Sequence, residues 1–175
     1  RREFLRRTAE AGGSVSLPSL VKEFLGQQKM ATRPFGKTGW DCWIYTVGTA
    51  EIPSSQEAVD ALRKLFDAGV NTLDTAPSYM GTRSESTVGK AIAGRREKLW
   101  ISTKTLERTA DGAYAEVKAS LGRLGSGHID LLQAHAVNDM GTLDAVLAKG
   151  GAVEGLERAK KDGLIRHIGI TGHTR

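Results

Sequence analysis

From Trp40 onward the chain alternates between short apolar runs and longer stretches whose apolar residues recur at helical spacing. Residues 43–49 (WIYTVGT) read as a first strand, rich in β-branched and aromatic residues. Pro53-Ser54-Ser55 then supplies a helix start, Glu57 falls in the first turn where a carboxylate complements the helix dipole, and Gly69 supplies the stop. Between them Ala58, Leu62, Leu65 and Phe66 form an apolar stripe at i, i+4, i+7 and i+8. The rhythm repeats with a strand at 70–74, a helix at 84–93 carrying Val88 and Ile92 one turn apart, and a strand at 99–103. A helix from about 110 to 124, a strand at 129–136, helical segments ending at Asp162-Gly163 and a strand at 165–171 follow. Uninterrupted strand and helix alternation predicts an α/β fold, with a parallel sheet covered by helices.

Two parallel architectures compete. A doubly wound sheet carries a glycine-rich phosphate turn after its first strand, but here that turn reads Gly48-Thr49-Ala50-Glu51-Ile52-Pro53, which is no G-x-G-x-x-G. The expected fold is therefore a (β/α)8 TIM barrel. Such a barrel takes about 250 residues and eight strands, and residues 40–175 supply five. Residues 30–175 thus read as the N-terminal part of a longer barrel, truncated at its C-terminus. Its two open parallel edges lead to the expectation that this piece folds poorly alone, and it is expected to be inactive by itself.

Composition narrows the class. Of 175 residues, 39% are hydrophobic and 26% charged, which is a globular composition. No apolar run approaches the roughly 20 residues of a spanning helix, so no membrane span is expected. The single cysteine, Cys42, excludes an intrachain disulfide and a cysteine-based zinc site. A net charge of +5 suggests a nucleic-acid partner until it is located: residues 1–39 hold 8 Lys/Arg against 3 Asp/Glu, and residues 40–175 hold 17 of each. The folded body is neutral, and nucleic acid is set aside.

The basic excess belongs to residues 1–29, a charged start followed by a small, mildly apolar stretch, in the order of an export signal. Arg1-Arg2-Glu3-Phe4-Leu5 resembles the twin-arginine signal, with Arg6 at the place of its usual lysine. Glu10 interrupts the apolar stretch and no A-x-A cleavage site follows. The other reading is a basic amphipathic lead-in helix. A signal implies export to the periplasm by the twin-arginine route; a lead-in helix implies a cytoplasmic protein.

In a barrel, chemistry gathers at the C-terminal ends of strands and in the loops after them. Asp74 closes the second strand, Tyr79 lies five residues on, Lys104 closes the third and His135 stands near the end of the fourth. Period-two alternation places Thr72 with Asp74, Ser102 with Lys104 and Gln133 with His135, so all three strand-borne groups can face the barrel mouth. A carboxylate, a phenol, an ammonium and an imidazole can then share one pocket.

The segments Asn71-Thr72-Leu73-Asp74-Thr75-Ala76-Pro77-Ser78-Tyr79, Ile101-Ser102-Thr103-Lys104 and Leu131-Leu132-Gln133-Ala134-His135 resemble the aldo-keto reductase family. The resemblance extends through Arg33-Pro34-Phe35-Gly36-Lys37-Thr38-Gly39, Gly48-Thr49 and Gly163-Leu164-Ile165-Arg166-His167-Ile168-Gly169-Ile170, over about residues 33–175. It implies an oxidoreductase that reduces a small-molecule aldehyde or ketone with hydride from NADPH, NADH being the alternative. It also implies Asp74, Tyr79, Lys104 and His135 as the catalytic set and Gly48, Thr49, Asp74 and Thr171 as cofactor-binding residues. Where many members carry Ser-Asn after the fifth strand, to hold the nicotinamide carboxamide, this chain has Thr171-Gly172.

The chemistry stands on its own terms as well. Hydride addition leaves an alkoxide that needs a proton, and a free phenol gives one up reluctantly at neutral pH. A positive charge about 4 Å from the phenol, at an effective dielectric of about 20, is worth roughly 4 kcal/mol toward that release; Lys104 is placed to supply it. Asp74 offsets part of the charge while holding the ammonium, and His135 can hydrogen-bond the carbonyl oxygen. Two other classes remain: a non-catalytic nicotinamide-binding regulatory barrel, and a Schiff-base lyase or aldolase using Lys104, which a neighbouring Asp74 disfavours by keeping the amine charged. His128, His167, Trp40, Trp43 and Trp100 read as packing residues, and Arg95-Arg96-Glu97-Lys98 as a solvated loop.

Overall fold

The computed structural model describes residues 31–173; the export-signal reading of residues 1–29 lies outside them. The chain enters through an antiparallel hairpin, β1 (Thr32–Pro34) and β2 (Asp41–Trp43). Five parallel strands follow: β3 (Val47–Gly48), β4 (Thr72–Asp74), β5 (Trp100–Thr105), β6 (Ile129–Ala134) and β7 (Ile165–Ile170). Between them run α1 (Gln56–Asp67), α2 (Arg83–Ile92), α3 (Ala110–Leu124), α4 (Met140–Leu147) and α5 (Ala152–Lys161). The sheet order is β3-β4-β5-β6-β7, each strand beside its successor in the chain. A doubly wound sheet reverses its order at a switch point; this one advances in a single direction, as a singly wound barrel does. Among the described residues no helix is long and apolar enough to cross a membrane.

Local chemistry sets the helix ends. Ser55, Thr109 and Asp139 cap α1, α3 and α4, their side chains accepting from the backbone N–H of Ala58, Gly112 and Thr142. Gly125 closes α3 in the left-handed conformation at φ 59°. Leu62 of α1, Val88 and Ile92 of α2, Val117 and Leu124 of α3 and Leu156 of α5 pack with Leu73, Ile101 and Leu132 of the sheet into one core.

Three sequence expectations need correction. Residues 43–49 are not one strand. The Trp43 N–H donates 2.8 Å to the Asn71 side chain, whose amide donates 2.8 Å to the Asp41 carbonyl. That clamp turns the chain out at Ile44 and Tyr45, both exposed, before β3 begins at Val47. On α1 the buried face is Ala58, Val59 and Leu62, and Leu65 is exposed.

The Arg95–Lys98 segment is not a solvated loop either. A 3-10 turn over Arg96–Lys98 presents the largely buried Arg96 to Ser126, to the carbonyls of Leu99 and His128, and to Asp130 at 2.7 Å. The three tryptophans and His167 do pack as expected. Trp100 stacks on His167 at 5.3 Å and meets Phe35 and Trp40 of the hairpin turn, so the hairpin covers the N-terminal end of the sheet.

Candidate active site

The site lies at the opposite, C-terminal end of the strands. Asp74 is the last residue of β4, Lys104 the fifth of six in β5, His135 the first residue after β6 and Thr171 the first after β7. Asp74 pairs in register with Ser102, and Lys104 with Gln133, so the two charged side chains stand on one face of the sheet.

Lys104 is the hub. Its ammonium lies 2.5 Å from Asp74 Oδ1, 2.8 Å from the Thr75 carbonyl and 4.7 Å from the centre of the Tyr79 ring. The lysine side chain is 6% exposed and the aspartate 30%, so the pair meets solvent only through the carboxylate. Tyr79 stands edge-on to His135 at 6.4 Å between ring centres. Its turn is bent by Met80, Gly81 and Thr82, all at positive φ, of which Thr82 (71°) is β-branched and most strained there.

His135 Nδ1 lies 2.7 Å from Thr171 Oγ1, and its ring meets that of His173 at 5.1 Å. Burial above all, then the neighbouring Lys104, His173 and Arg108, push its pKa below the ordinary histidine value; Asp74 pulls the other way. A cavity of about 280 Å³ opens between the loops after β4 and β5, lined by Pro77, Ser78, Thr82, Leu106, Glu107 and the working side chains Lys104 and His135.

The four residues expected to act together are thus brought together. Of the expected cofactor residues, Gly48 pairs in register with Asp74 and has open space where a side chain would stand. Thr49 is 1% exposed, and its hydroxyl bonds the Asp74 carbonyl at 3.0 Å and Ser84 at 2.8 Å, with Thr75 on the other side of Ser84 at 2.9 Å. Thr49 therefore ties the ends of β3 and β4 to the start of α2 from beneath the site. The Thr171 hydroxyl is turned to His135.

Sequence reasoning missed Thr75, Ser84 and Arg108. The Thr49, Thr75 and Ser84 hydroxyls carry a faint signal, two threonines each directly after a strand. Arg108 carries none. It lies in the loop after β5 and donates to the His135 carbonyl at 2.6 Å and the Ala136 carbonyl at 3.4 Å.

A sequence model described as the Aldo/keto reductase family matches residues 45–174. The chain belongs to that family. It is 30% identical over 159 residues to an L-galactose dehydrogenase of Arabidopsis thaliana, covering 82% of this chain and 49% of that protein. It is 32% identical over 155 residues to an uncharacterized oxidoreductase of Bacillus subtilis (strain 168), covering 81% and 49%. Among solved structures, an aldo-keto reductase from Bacillus halodurans in its holo form superposes at a TM-score of 0.71 with 27% identity, over 82% of this chain and 50% of that one. The chain spans about half the length of the curated relatives it matches. The solved relatives are (β/α)8 barrels, and this aldo/keto reductase chain supplies about the first five parallel strands of that fold.

Proposed function

We propose that the intact protein reduces an aldehyde or ketone with hydride from NADPH, using Tyr79 as proton donor. The observation that carries this reading is the Lys104 ammonium held between Asp74 and the face of the Tyr79 ring. A positive charge against the ring favours the phenolate left once the proton has gone to the substrate, and Asp74 offsets part of it. His135 stands beside the phenol, suited to hydrogen-bond the carbonyl oxygen as negative charge grows on it. The Arabidopsis relative, by name a dehydrogenase of L-galactose, supports a small polar substrate.

The residues fit a nicotinamide in one respect: at Gly48 nothing lies within 4 Å of where a Cβ would stand, so a flat ring can approach the backbone beside Asp74. Gly48 and Asp74 would hold that ring, and the bound cofactor would supply the hydride. Lys104, Tyr79 and His135 do the rest, keeping a proton at the phenolic oxygen and a donor at the substrate oxygen.

Tyr79→Phe keeps the ring and removes the proton. In the intact protein, aldehyde reduction should fall by about 10² or more, in line with the worth of general acid catalysis, while NADPH binding followed by fluorescence persists. Lys104→Met should lose a similar amount. Near-normal turnover by Tyr79→Phe overturns the mechanism. Cofactor binding without turnover in the wild type would favour a regulatory barrel instead.

A further inference from the structure

His135 has two ring nitrogens, and Nδ1 is engaged by Thr171, which leaves Nε2 to meet a substrate. We infer that Thr171 is a positioning residue that sets the tautomer of His135: its hydroxyl gives its proton to Nδ1, so the ring's own proton sits on Nε2, toward the substrate. This deepens the carbonyl-reduction reading and rests on it.

The geometry around the hydroxyl favours this direction. Thr171 is held at both backbone groups, its N–H donating 2.9 Å to the Ala134 carbonyl and its carbonyl accepting from the Val137 N–H at 2.7 Å. Its β-branched side chain is stiff about χ1, so this backbone fixes where Oγ1 stands. Oγ1 accepts the Ala136 N–H at 3.4 Å, which occupies one lone pair, and faces Nδ1 at 2.7 Å. A hydroxyl has a single proton, and here Nδ1 is positioned to accept it.

The histidine is pinned equally well. Its N–H donates 2.8 Å to the Thr105 carbonyl, and its carbonyl accepts from Arg108 at 2.6 Å. Ala136 follows at φ 56°, a left-handed conformation that a non-glycine residue keeps only when its surroundings over-determine it. Arg108 reaches that residue's carbonyl too. The backbone that carries the ring is thus fixed, and the ring stands with Nδ1 against Thr171.

Burial, with Lys104, His173 and Arg108 beside it, favours the neutral ring against the pull of Asp74. In a neutral imidazole, the partner of one nitrogen decides whether the other donates or accepts. A substrate carbonyl oxygen needs a donor. With the proton on Nδ1, the Nε2 lone pair would meet that oxygen instead and repel it. The Thr171 proton, once given to Nδ1, cannot also go to the carbonyl oxygen of the cofactor's amide, so Thr171 gains a role in the support of His135 besides the expected cofactor clamp.

The test uses the intact protein with 15N-labelled histidine and two variants. Long-range nitrogen–proton NMR of the wild type should show His135 as a neutral ring protonated at Nε2. Thr171→Val keeps the shape and removes the hydroxyl: the tautomer should mix or switch, and kcat should fall about tenfold, the worth of one hydrogen bond, with the KM for NADPH unchanged. Thr171→Ser should restore both the spectrum and kcat. A wild-type ring protonated at Nδ1 overturns the inference. So does a Thr171→Val variant with unchanged ring signals and kcat but a raised KM for NADPH, since Thr171 then serves the cofactor. Tyr79→Phe measured alongside separates the two readings, because turnover retained there overturns carbonyl reduction while the NMR spectrum still decides the tautomer.

Discussion

His135 is surrounded by charges of both signs, and their balance decides its protonation. Burial, with Lys104, His173 and Arg108, outweighs one carboxylate, so its pKa lies below the usual value of about 6.5. The native ring thus resists a proton that the unfolded chain accepts as pH falls through about 6.5. The stability this neutral ring contributes is fully present above that pH and is lost as pH drops toward the lower, folded value. An NMR titration of His135 should give a midpoint below 6.5, and Arg108→Met, which removes one of the cations, should raise it. A wild-type midpoint at or above 6.5 contradicts the electrostatic account.

At the scale of elements, two glycines on neighbouring helices obey opposite demands. A Cβ on Gly155 of α5 would stand 2.0 Å from the Ala110 carbonyl oxygen, at the start of α3, so the absent side chain is what lets the two helices meet. Gly122 near the end of α3 has nothing within 4 Å. Gly155→Ala should therefore destabilise by about 1–3 kcal/mol through overpacking. Gly122→Ala should stabilise by about 0.5–1 kcal/mol, because alanine loses less backbone entropy on entering a helix. Urea unfolding of the two variants checks this, and equal effects at both sites would remove the packing explanation.

At the scale of the whole molecule, Asp130 on β6 ties together both neighbouring strands, β5 and β7, and the turn that leads into β5. It is 1% exposed, and its carboxylate accepts from Arg96 at 2.7 Å, from Arg166 on β7 at 3.0 Å and from the Ile101 N–H on β5 at 2.9 Å. His128 also approaches it at 3.6 Å. That contact alone would favour a charged ring, yet burial first, then Arg96 and Arg166, leave the His128 pKa lowered. The two arginines already satisfy Asp130, and at 3.6 Å the imidazole gains little from it. Asp130→Asn should cost about 3 kcal/mol, the low end for breaking a buried pair because Arg166 is half exposed. A urea midpoint close to wild type would show the cluster to be dispensable.

The chain by itself determined whatever depends on neighbours a few residues away. The helix start at Ser55, the stripe through Val88 and Ile92 and the period-two placement of Asp74, Lys104 and His135 all follow from local geometry. A parallel sheet in chain order then carries those strand ends to one mouth, which is why three of the four candidate residues were legible before any coordinates. Tyr79, the fourth, was legible from its place in the loop five residues after Asp74, but the turn of three consecutive positive-φ residues that follows it was not. What tertiary structure alone decided involves partners far apart in sequence. Thr171 faces His135 across 36 residues, Arg108 reaches its carbonyl across 27, and Asn71 breaks the expected first strand by holding Trp43 from 28 residues away. Arg96 likewise leaves the surface because Asp130, 34 residues on, is buried without solvent to stabilise its charge. Each depends on which strands pair and in which register. Register is set by burial summed over the whole sheet, a quantity that no local window of sequence contains.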